Sequence, residues 1–346
     1  MKINVYGPII FFYNRPTRDN EIKSAIYYSK EKKMNKNVQF YVLFIILICF
    51  FSRPFSSMAE ATEACGLAKE DQGKFVRIPS GSFIKNKKPM YPEEGEPTST
   101  SVDAFEIQIH EVTNNQFQRF ITETGYITDA EKSEGLNKID SGSAVFSSKE
   151  KKESWSRIAL DNIPSWELIS GATWKSPLGP GSDIEGKGQY PVVHVSLKDT
   201  TAYALWSKTR IPTETEWEYA ASLGLIDSKD QMSGAYDREG KPVANTWQGI
   251  FPSLNTGKDG FFDASPSGCY QPSEIGLFDM IGNVWEWTNT PYNSRMNVIK
   301  GGSFLCSQDF CKRYRPSARQ FQEKDFSTNH LGFRVVRDIE AKRKKP

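Results

Sequence analysis

Histidine is scarce in this 346-residue chain: His110, His194 and His330 are the full complement. Cysteine is nearly as rare. Of five, only Cys306 and Cys311 lie close together, with no second pair to complete a zinc set, which normally joins Cys pairs two to four apart to another pair or to histidines. No internal repeat, Walker phosphate loop or dinucleotide-binding glycine pattern occurs. Charge of one sign is not in excess either, with 44 Lys/Arg against 42 Asp/Glu. Nothing in that balance calls for nucleic acid. The apolar run Val38–Phe51 falls short of the roughly 18 residues of a comfortable membrane span.

What is plentiful is aromatic: 22 Phe, 14 Tyr and 8 Trp, beside 25 Gly and 19 Pro. Large rings beneath many turns imply a core that does not depend on long helices.

The first 59 residues differ from the rest. Met34-Asn35-Lys36-Asn37 is a short basic lead into Val38–Phe51, and Ser57 and Ala59 stand at −3 and −1 of a cleavage point, with Ala61 as an alternative. This predicts a secretory signal peptide over residues 34–59, Met34 as the true start, and residues 1–33 as an over-called upstream extension. The competing reading keeps residues 1–33 as a cytoplasmic tail and 38–51 as a signal anchor, the one route to a membrane association. Either places the main domain outside the cytoplasm, periplasmic or extracellular. Cys65 follows Thr62-Glu63-Ala64, which is no lipobox. With the 9 Lys/Arg and 3 Asp/Glu of residues 1–59 set aside, 35 basic and 39 acidic residues remain, a net charge near −4. The closing residues 341–346 form a basic, solvated tail.

Residues 60–72 read as a polar lead-in, and one domain is expected over residues 73–340. Phe75–Phe83 is a short alternating strand broken by a Pro/Gly turn, residues 85–101 a polar loop, and Val102–Val112 a second strand. Thr113 or Asn114 caps a helix with Phe117, Phe120 and Ile121 on one face and Gly125 at its end. Residues 128–190 are irregular, with Trp155, Trp166 and Trp174 among them. Ser196 with Asp199 opens a helix carrying Ala202, Leu205 and Trp206. Thr213 with Glu216 opens another, with Trp217, Ala220 and Ala221 inward and Gly224 as the stop. Beyond residue 225 turns dominate. The class is α+β, loop-rich, with little regular structure.

Gly301-Gly302-Ser303-Phe304-Leu305-Cys306-Ser307-Gln308-Asp309-Phe310-Cys311-Lys312-Arg313-Tyr314-Arg315-Pro316 is the chemically informative stretch, two cysteines five apart behind a paired glycine and ahead of an Arg-Tyr-Arg-Pro run. An offset of five sends two side chains apart on a helix and to opposite faces on a strand. The sulfurs meet only if the chain loops back, and the two glycines permit such a loop. Two thiols without further ligands suit a soft, low-coordinate metal such as Cu(I), or redox cycling. A disulfide or two inert buried thiols is the plainer alternative.

Further segments accompany this one: Ile211–Tyr219 (IPTETEWEY), Ala244–Gly249 (ANTWQG), Gly276–Trp287 (GLFDMIGNVWEW), Gly301–Phe304 and Asn329–Arg334 (NHLGFR). In this order, over residues 73–338, the chain resembles the formylglycine-generating enzyme (sulfatase-modifying factor) family. The resemblance implies a variant of the C-type-lectin-like fold. It further implies an oxidase that converts the cysteine of a Cys-x-Pro-x-Arg segment in an unfolded sulfatase to Cα-formylglycine, consuming dioxygen, in a protein expected to be a monomer. Cys306 and Cys311 match the family's Cu(I)-holding cysteines. Ser303 matches a pocket-lining residue and Trp285 a pocket-wall tryptophan; a turn residue and a core ring are their plain readings. Arg315 and Arg319 match structural arginines, expected in buried bidentate pairs. Two structural Ca²⁺ sites are implied, one from Asn245, Thr246, Asp259 and Phe261, the other from Asp279, Gly282, Val284 and Glu286.

The chain departs from the pattern in places. Pro316 and Val335 replace disulfide cysteines of eukaryotic members, and Ser307 and Phe310 replace a His and a Tyr. Cys65 and Cys269 have no assignable partner. Two other readings use the same fold: a binding or structural module with Cys306–Cys311 locked as a disulfide, and an iron-dependent sulfoxide synthase. The latter needs a histidine-rich bundle that three scattered histidines cannot supply.

Overall fold

Three helices announce themselves by their ends. In the computed structural model, which describes residues 65–132, 142–147, 165–224 and 234–339, they are α1 (Asn114–Thr124), α2 (Leu197–Trp206) and α3 (Glu214–Leu223). Each begins with a reciprocal capping box: Thr113 with Gln116, Ser196 with Asp199, Thr213 with Glu216. Each box satisfies two amide donors that the first helical turn leaves open. Gly125 ends α1 in the left-handed region at φ 65°. The expected leader (1–33 and 34–59), Trp155 and the basic tail lie outside the described residues.

The strands are β1 (Phe75–Ile78), β2 (Gly81–Lys85), β3 (Thr98–Val102), β4 (Phe105–Gln108), β5 (Gly142–Ser147), β6 (Ser165–Ser170), β7 (Gly249–Ile250), β8 (Leu254–Asn255), β9 (Trp285–Pro291), β10 (Met296–Lys300), β11 (Gln320–Glu323), β12 (Leu331–Gly332) and β13 (Val336–Asp338). One sheet has the order β1-β4-β13, and a second β11-β10-β9-β12, in which β12 runs parallel to β9. Hairpin pairs β2–β3, β5–β6 and β7–β8 complete the set. This is the expected α+β, loop-rich domain.

Several expectations change. The stretch 85–101 is not all loop: Pro92–Glu94 forms a 3-10 turn, and β3 pairs with β2 from Gly81↔Val102 to Lys85↔Thr98. The strand expected over 102–112 is two, with Val102 closing β3 and Phe105 opening β4. The irregular region 128–190 contains the β5–β6 pair. The turn-rich tract after residue 225 holds the four-stranded sheet. Its strands lack alternation because the first four residues of β9 and the last four of β10 are all buried, and a strand buried on both faces has no polar side to show. The body also starts before residue 73, since Leu67 is buried and Cys65 is bonded to Cys269 with an S–S distance of 2.10 Å.

Among the described residues two large aromatic-rich cores result, beside a smaller one of Phe146, Trp247, Phe304 and Leu305. In one, Phe117, Phe120 and Tyr203 of α1 and α2 meet Trp174, Trp285, Trp287, Phe333 and Cys306. In the other, Trp217, Ala220 and Ala221 of α3 meet Ile78, Phe105, Ile107 and Val336. Burying such side chains contributes roughly 1.5–3 kcal/mol each before entropy is counted. No helix among the described residues is long and apolar enough to cross a membrane.

Candidate active site at the cysteine loop

Strand β10 delivers the chain into the loop through Gly301 (φ 92°) and Gly302 (φ 70°). At Gly302 a Cβ would come within 2.6 Å of the Tyr314 Cα, so the conformation and the close approach both require glycine. Local hydrogen bonds then build the return. The Ser303 carbonyl accepts the Cys306 N–H at 2.9 Å, and the Ser307 carbonyl accepts the Cys311 N–H at 3.1 Å. The Cys306 carbonyl accepts the Trp247 N–H at 2.9 Å, which ties the loop to the body.

The two sulfurs meet. Cys306 and Cys311 are free thiols with Sγ atoms 3.6 Å apart, far beyond the roughly 2.05 Å of a disulfide. The locked pair of the module reading is therefore not the state seen. Cys306 is buried, and Cys311 is partly exposed at the mouth. A hydrogen bond between the thiols divides their acidities. It draws Cys311 down to about 6, with help from Arg313, whereas the same bond and burial push Cys306 well up. Cys311 is thus the one that carries the thiolate at neutral pH.

Ser303 is fully buried, and its hydroxyl accepts the Leu305 N–H at 3.2 Å, so in this structure it serves the turn. Trp285 opens β9 and is 3% exposed; its N–H donates to the His330 carbonyl at 2.8 Å, and its ring shares a core with Cys306. Ser307 is buried, and its hydroxyl accepts the Phe310 N–H. Phe310 is 67% exposed and stacks on Phe251 at 4.9 Å. Phe251 stacks on Phe146, which meets Trp166 edge-on. An aromatic wall from four separate segments thus flanks the loop, and only Phe310 lay within the stretch that the sequence singled out.

Two thiols are a soft donor pair that fits Cu(I). Among the described residues no cluster of three or more His, Cys, Asp or Glu able to hold a metal occurs. The two hard-ligand sets carry bonds of their own. Asp259 accepts the Thr246 N–H at 2.9 Å and the Phe261 N–H at 3.2 Å, so three residues of the first set meet, whereas the Asn245 amide donates to the Asp263 carbonyl and to Asn283 Oδ1. Burial raises the Asp259 carboxyl above its ordinary range, as expected of an anion lacking a cation. In the second set, burial pushes Asp279 up to about 6, and burial likewise raises Glu111, a neighbour outside the set. These two carboxylates and Glu286 surround the single guanidinium of Arg334, and the excess of negative charge fits a cation. Glu286 is already engaged, however. Arg334 grips both of its oxygens at 2.7 Å, and Trp217 Nε1 donates to one at 2.7 Å. A calcium ion there would share Glu286 with both.

The arginines are corrected in detail. Arg315 is buried as expected, but it reaches Glu94 through one nitrogen and gives others to the Lys312 carbonyl and Ser317. Arg319 pairs with Glu214 at 2.9 Å. Among the described residues the fully buried bidentate pair is Arg334–Glu286. Cys65 and Cys269, left unassigned, are partners of each other. Arg313 lies in the singled-out stretch with no role assigned to it, and Glu93 and Tyr91 were missed: Arg313 Nη1 points at Cys311 Sγ from 3.8 Å. The only sequence signal was an acidic doublet far upstream of a basic one.

Comparison with known proteins matches this architecture. The chain is 37% identical over 304 residues to the formylglycine-generating enzyme of Mycobacterium tuberculosis, covering 77% of this chain and 98% of that protein. It is 36% identical over 286 residues to the mouse enzyme of that name, covering 77% and 75%. A bovine protein named inactive C-alpha-formylglycine-generating enzyme 2 is 34% identical over 271 residues, covering 75% and 87%. Among solved structures, PvdO from Pseudomonas aeruginosa shares the fold at a TM-score of 0.50 and 19% identity, over 78% of this chain and 96% of that one. The model of the sulfatase-modifying factor enzyme 1-like domain matches residues 61–339. This chain belongs to the sulfatase-modifying factor enzyme 1-like domain family.

Proposed function

We propose that this protein matures sulfatases by converting the cysteine of a Cys-x-Pro-x-Arg segment to Cα-formylglycine, with Cu(I) held by Cys306 and Cys311 and dioxygen as the acceptor. The single observation that carries this reading is the free thiol pair at 3.6 Å, one sulfur buried and one at the mouth. Bound copper would supply a soft electrophile for a third thiolate and one-electron chemistry toward dioxygen. The chain's own residues do the rest. Cys311, partly exposed and thiolate at neutral pH, meets the incoming cysteine. Cys306 is held from within by the Ser303 turn. The rings of Phe310, Phe251 and Phe146 offer an apolar flank to an extended polypeptide and keep water from one side of the pair. The relatives named for this activity support the assignment.

A second reading is supported by the 34% identity to a relative named as inactive: a module of the same fold without turnover. One experiment separates the two. The reduced protein is given Cu(I), dioxygen, reductant and a Cys-x-Pro-x-Arg peptide, and aldehyde is read by mass and hydrazine labelling. Turnover in the parent and its loss in Cys306→Ser and Cys311→Ser is expected. An inert parent, or a fully active double variant, would overturn the copper assignment.

The reading extends to structural Ca²⁺ at Asn245, Thr246, Asp259 and Phe261 and at Asp279, Gly282, Val284 and Glu286, and to export of a monomer behind a cleaved leader. A ligand that binds only the folded state raises its stability, so a chelator is expected to lower the melting midpoint of the parent and not of an Asp259→Ala, Asp279→Ala variant. N-terminal sequencing of the exported protein checks the leader: a chain beginning near residue 60 supports cleavage, and one retaining residues 38–51 supports an anchor.

A further inference from the structure

The chemistry above uses two thiols and leaves unexplained a turn that belongs to neither core. Tyr91-Pro92-Glu93-Glu94 lies some 220 residues from the cysteine loop in sequence, yet three of its side chains are spent on residues 312–315. Glu93 Oε1 accepts Nε and Nη2 of Arg313 at 2.9 and 2.5 Å. The Tyr91 hydroxyl accepts the Lys312 N–H at 3.1 Å, and its ring lies 4.1 Å beneath the Arg313 guanidinium. Glu94, itself fully buried, holds the buried Arg315 and accepts the Met90 N–H at 2.9 Å.

The distal limb of the loop needs an outside hold. Gln308, Asp309 and Phe310 are exposed, and the one backbone bond from Cys311 back to Ser307 does not by itself fix where Cys311 Sγ points. Arg313 supplies that direction. A guanidinium is a rigid planar fork, so two donors fixed on Glu93 and a face fixed on Tyr91 determine where the third nitrogen points. It points at Cys311 Sγ, 3.8 Å away. A partly exposed ion pair of this kind contributes little to stability, which leaves aim as what it provides.

We propose that the Tyr91–Glu94 turn is a positioning element for the thiol pair, acting through Arg313 to keep Cys311 Sγ facing Cys306 Sγ for a soft electrophile that must bridge both. Glu94 and Arg315 anchor the turn to the body; Glu93 and Tyr91 aim the guanidinium. This deepens the reading of the pair as the reactive centre and rests on it.

The test uses two probes. A monosubstituted arsenical, p-aminophenylarsine oxide, condenses with two thiols to give one arsenic bound to both sulfurs and one water, with no change of oxidation state. Cu(I) affinity is read in competition with a chromophoric chelator. Both are measured in the parent, Arg313→Gln, Arg313→Lys and Glu93→Gln, alongside melting midpoints. Expected are losses of tenfold or more in both affinities for Arg313→Gln and Glu93→Gln, no full recovery with lysine, and midpoints near that of the parent. Tyr91→Phe, which keeps the ring and removes the acceptor for Lys312, is the milder variant and is expected to lose two- to fivefold. Unchanged affinities in folded variants, or full recovery with lysine, would overturn the proposal. A parent that takes the arsenical tightly but neither copper nor peptide turnover would sink the copper reading alone, and the arsenical series would still decide the clamp.

Discussion

Glu93 and Glu94 are neighbours, Arg313 and Arg315 nearly so, and the ion pairs they form differ chiefly in burial. The Arg315 and Glu94 side chains are both 0% exposed, while those of Arg313 and Glu93 are 25% and 23% exposed. The same chemistry therefore does two jobs. Inside, neither charge can fall back on water, so each depends on its partner and on the few bonds that Lys312, Ser317 and Met90 add, and the pair becomes framework. At the rim, water screens the attraction and the pair adds little to stability. It remains free to direct a spare nitrogen at sulfur. Burial separates scaffold from site here more sharply than residue type does.

Breaking the inner pair is expected to have the largest effect. Glu94→Gln keeps the shape and strands the Arg315 charge, at a cost of about 3–5 kcal/mol, read from urea unfolding. A loss under about 1 kcal/mol would erase the distinction between the two pairs. Next comes a buried group with no charge partner at all. His194 is fully buried, bonds the Pro177 carbonyl at 2.9 Å through Nε2, and is lowered by burial to about 4. Below pH 6.5 the unfolded imidazole takes a proton that the folded one refuses until about pH 4, so stability falls as pH drops through this window. The contribution is up to about 3 kcal/mol. Asp199 runs the other way. Burial raises it to about 6, so the folded state holds its proton after the unfolded state has released it, and stability falls as pH rises from about 4 to 6. The two oppose each other in the parent. His194→Asn, tolerable at φ 60°, should gain relative to the parent as pH falls from 7 to 4.5. A flat difference would refute the assignment. The smallest effect belongs to the outer pair: Arg313→Gln should cost less than about 1 kcal/mol in the same unfolding assay, however strongly it alters the thiols.

What could be read from the sequence follows distance along the chain. The capping boxes at Thr113, Ser196 and Thr213 each span four residues, so the helix starts were legible, as was the stop at Gly125. The cysteine loop was legible for the same reason: two glycines and an offset of five define it locally. β9 and β10 were not, because burial on both faces removed the alternation that marks a strand. Nor were the pairing of Cys65 with Cys269, 204 residues apart, or the clamp of Tyr91 and Glu93 on Arg313. Charge clusters such as Glu-Glu and Arg-Tyr-Arg are common on solvated surfaces, and only the fold shows that these two meet. The calcium sets came from resemblance, and the structure adds Glu111 to the buried acids beside Asp279, a residue with no local motif to mark it.

The bond between Cys65 and Cys269 imposes a sorting problem on the newly made chain. Four cysteines in the described residues can pair in three ways, and only one of these allows 306 and 311 to remain a pair of their own. Cys306 and Cys311 collide most often in an unfolded chain, because short loops close at the least entropic cost. The bond that has to persist spans 204 residues and is brought together only by folding. In an oxidising compartment the easiest bridge to form is thus the one that must be reopened, by thiol exchange or a reductant, before the loop can act.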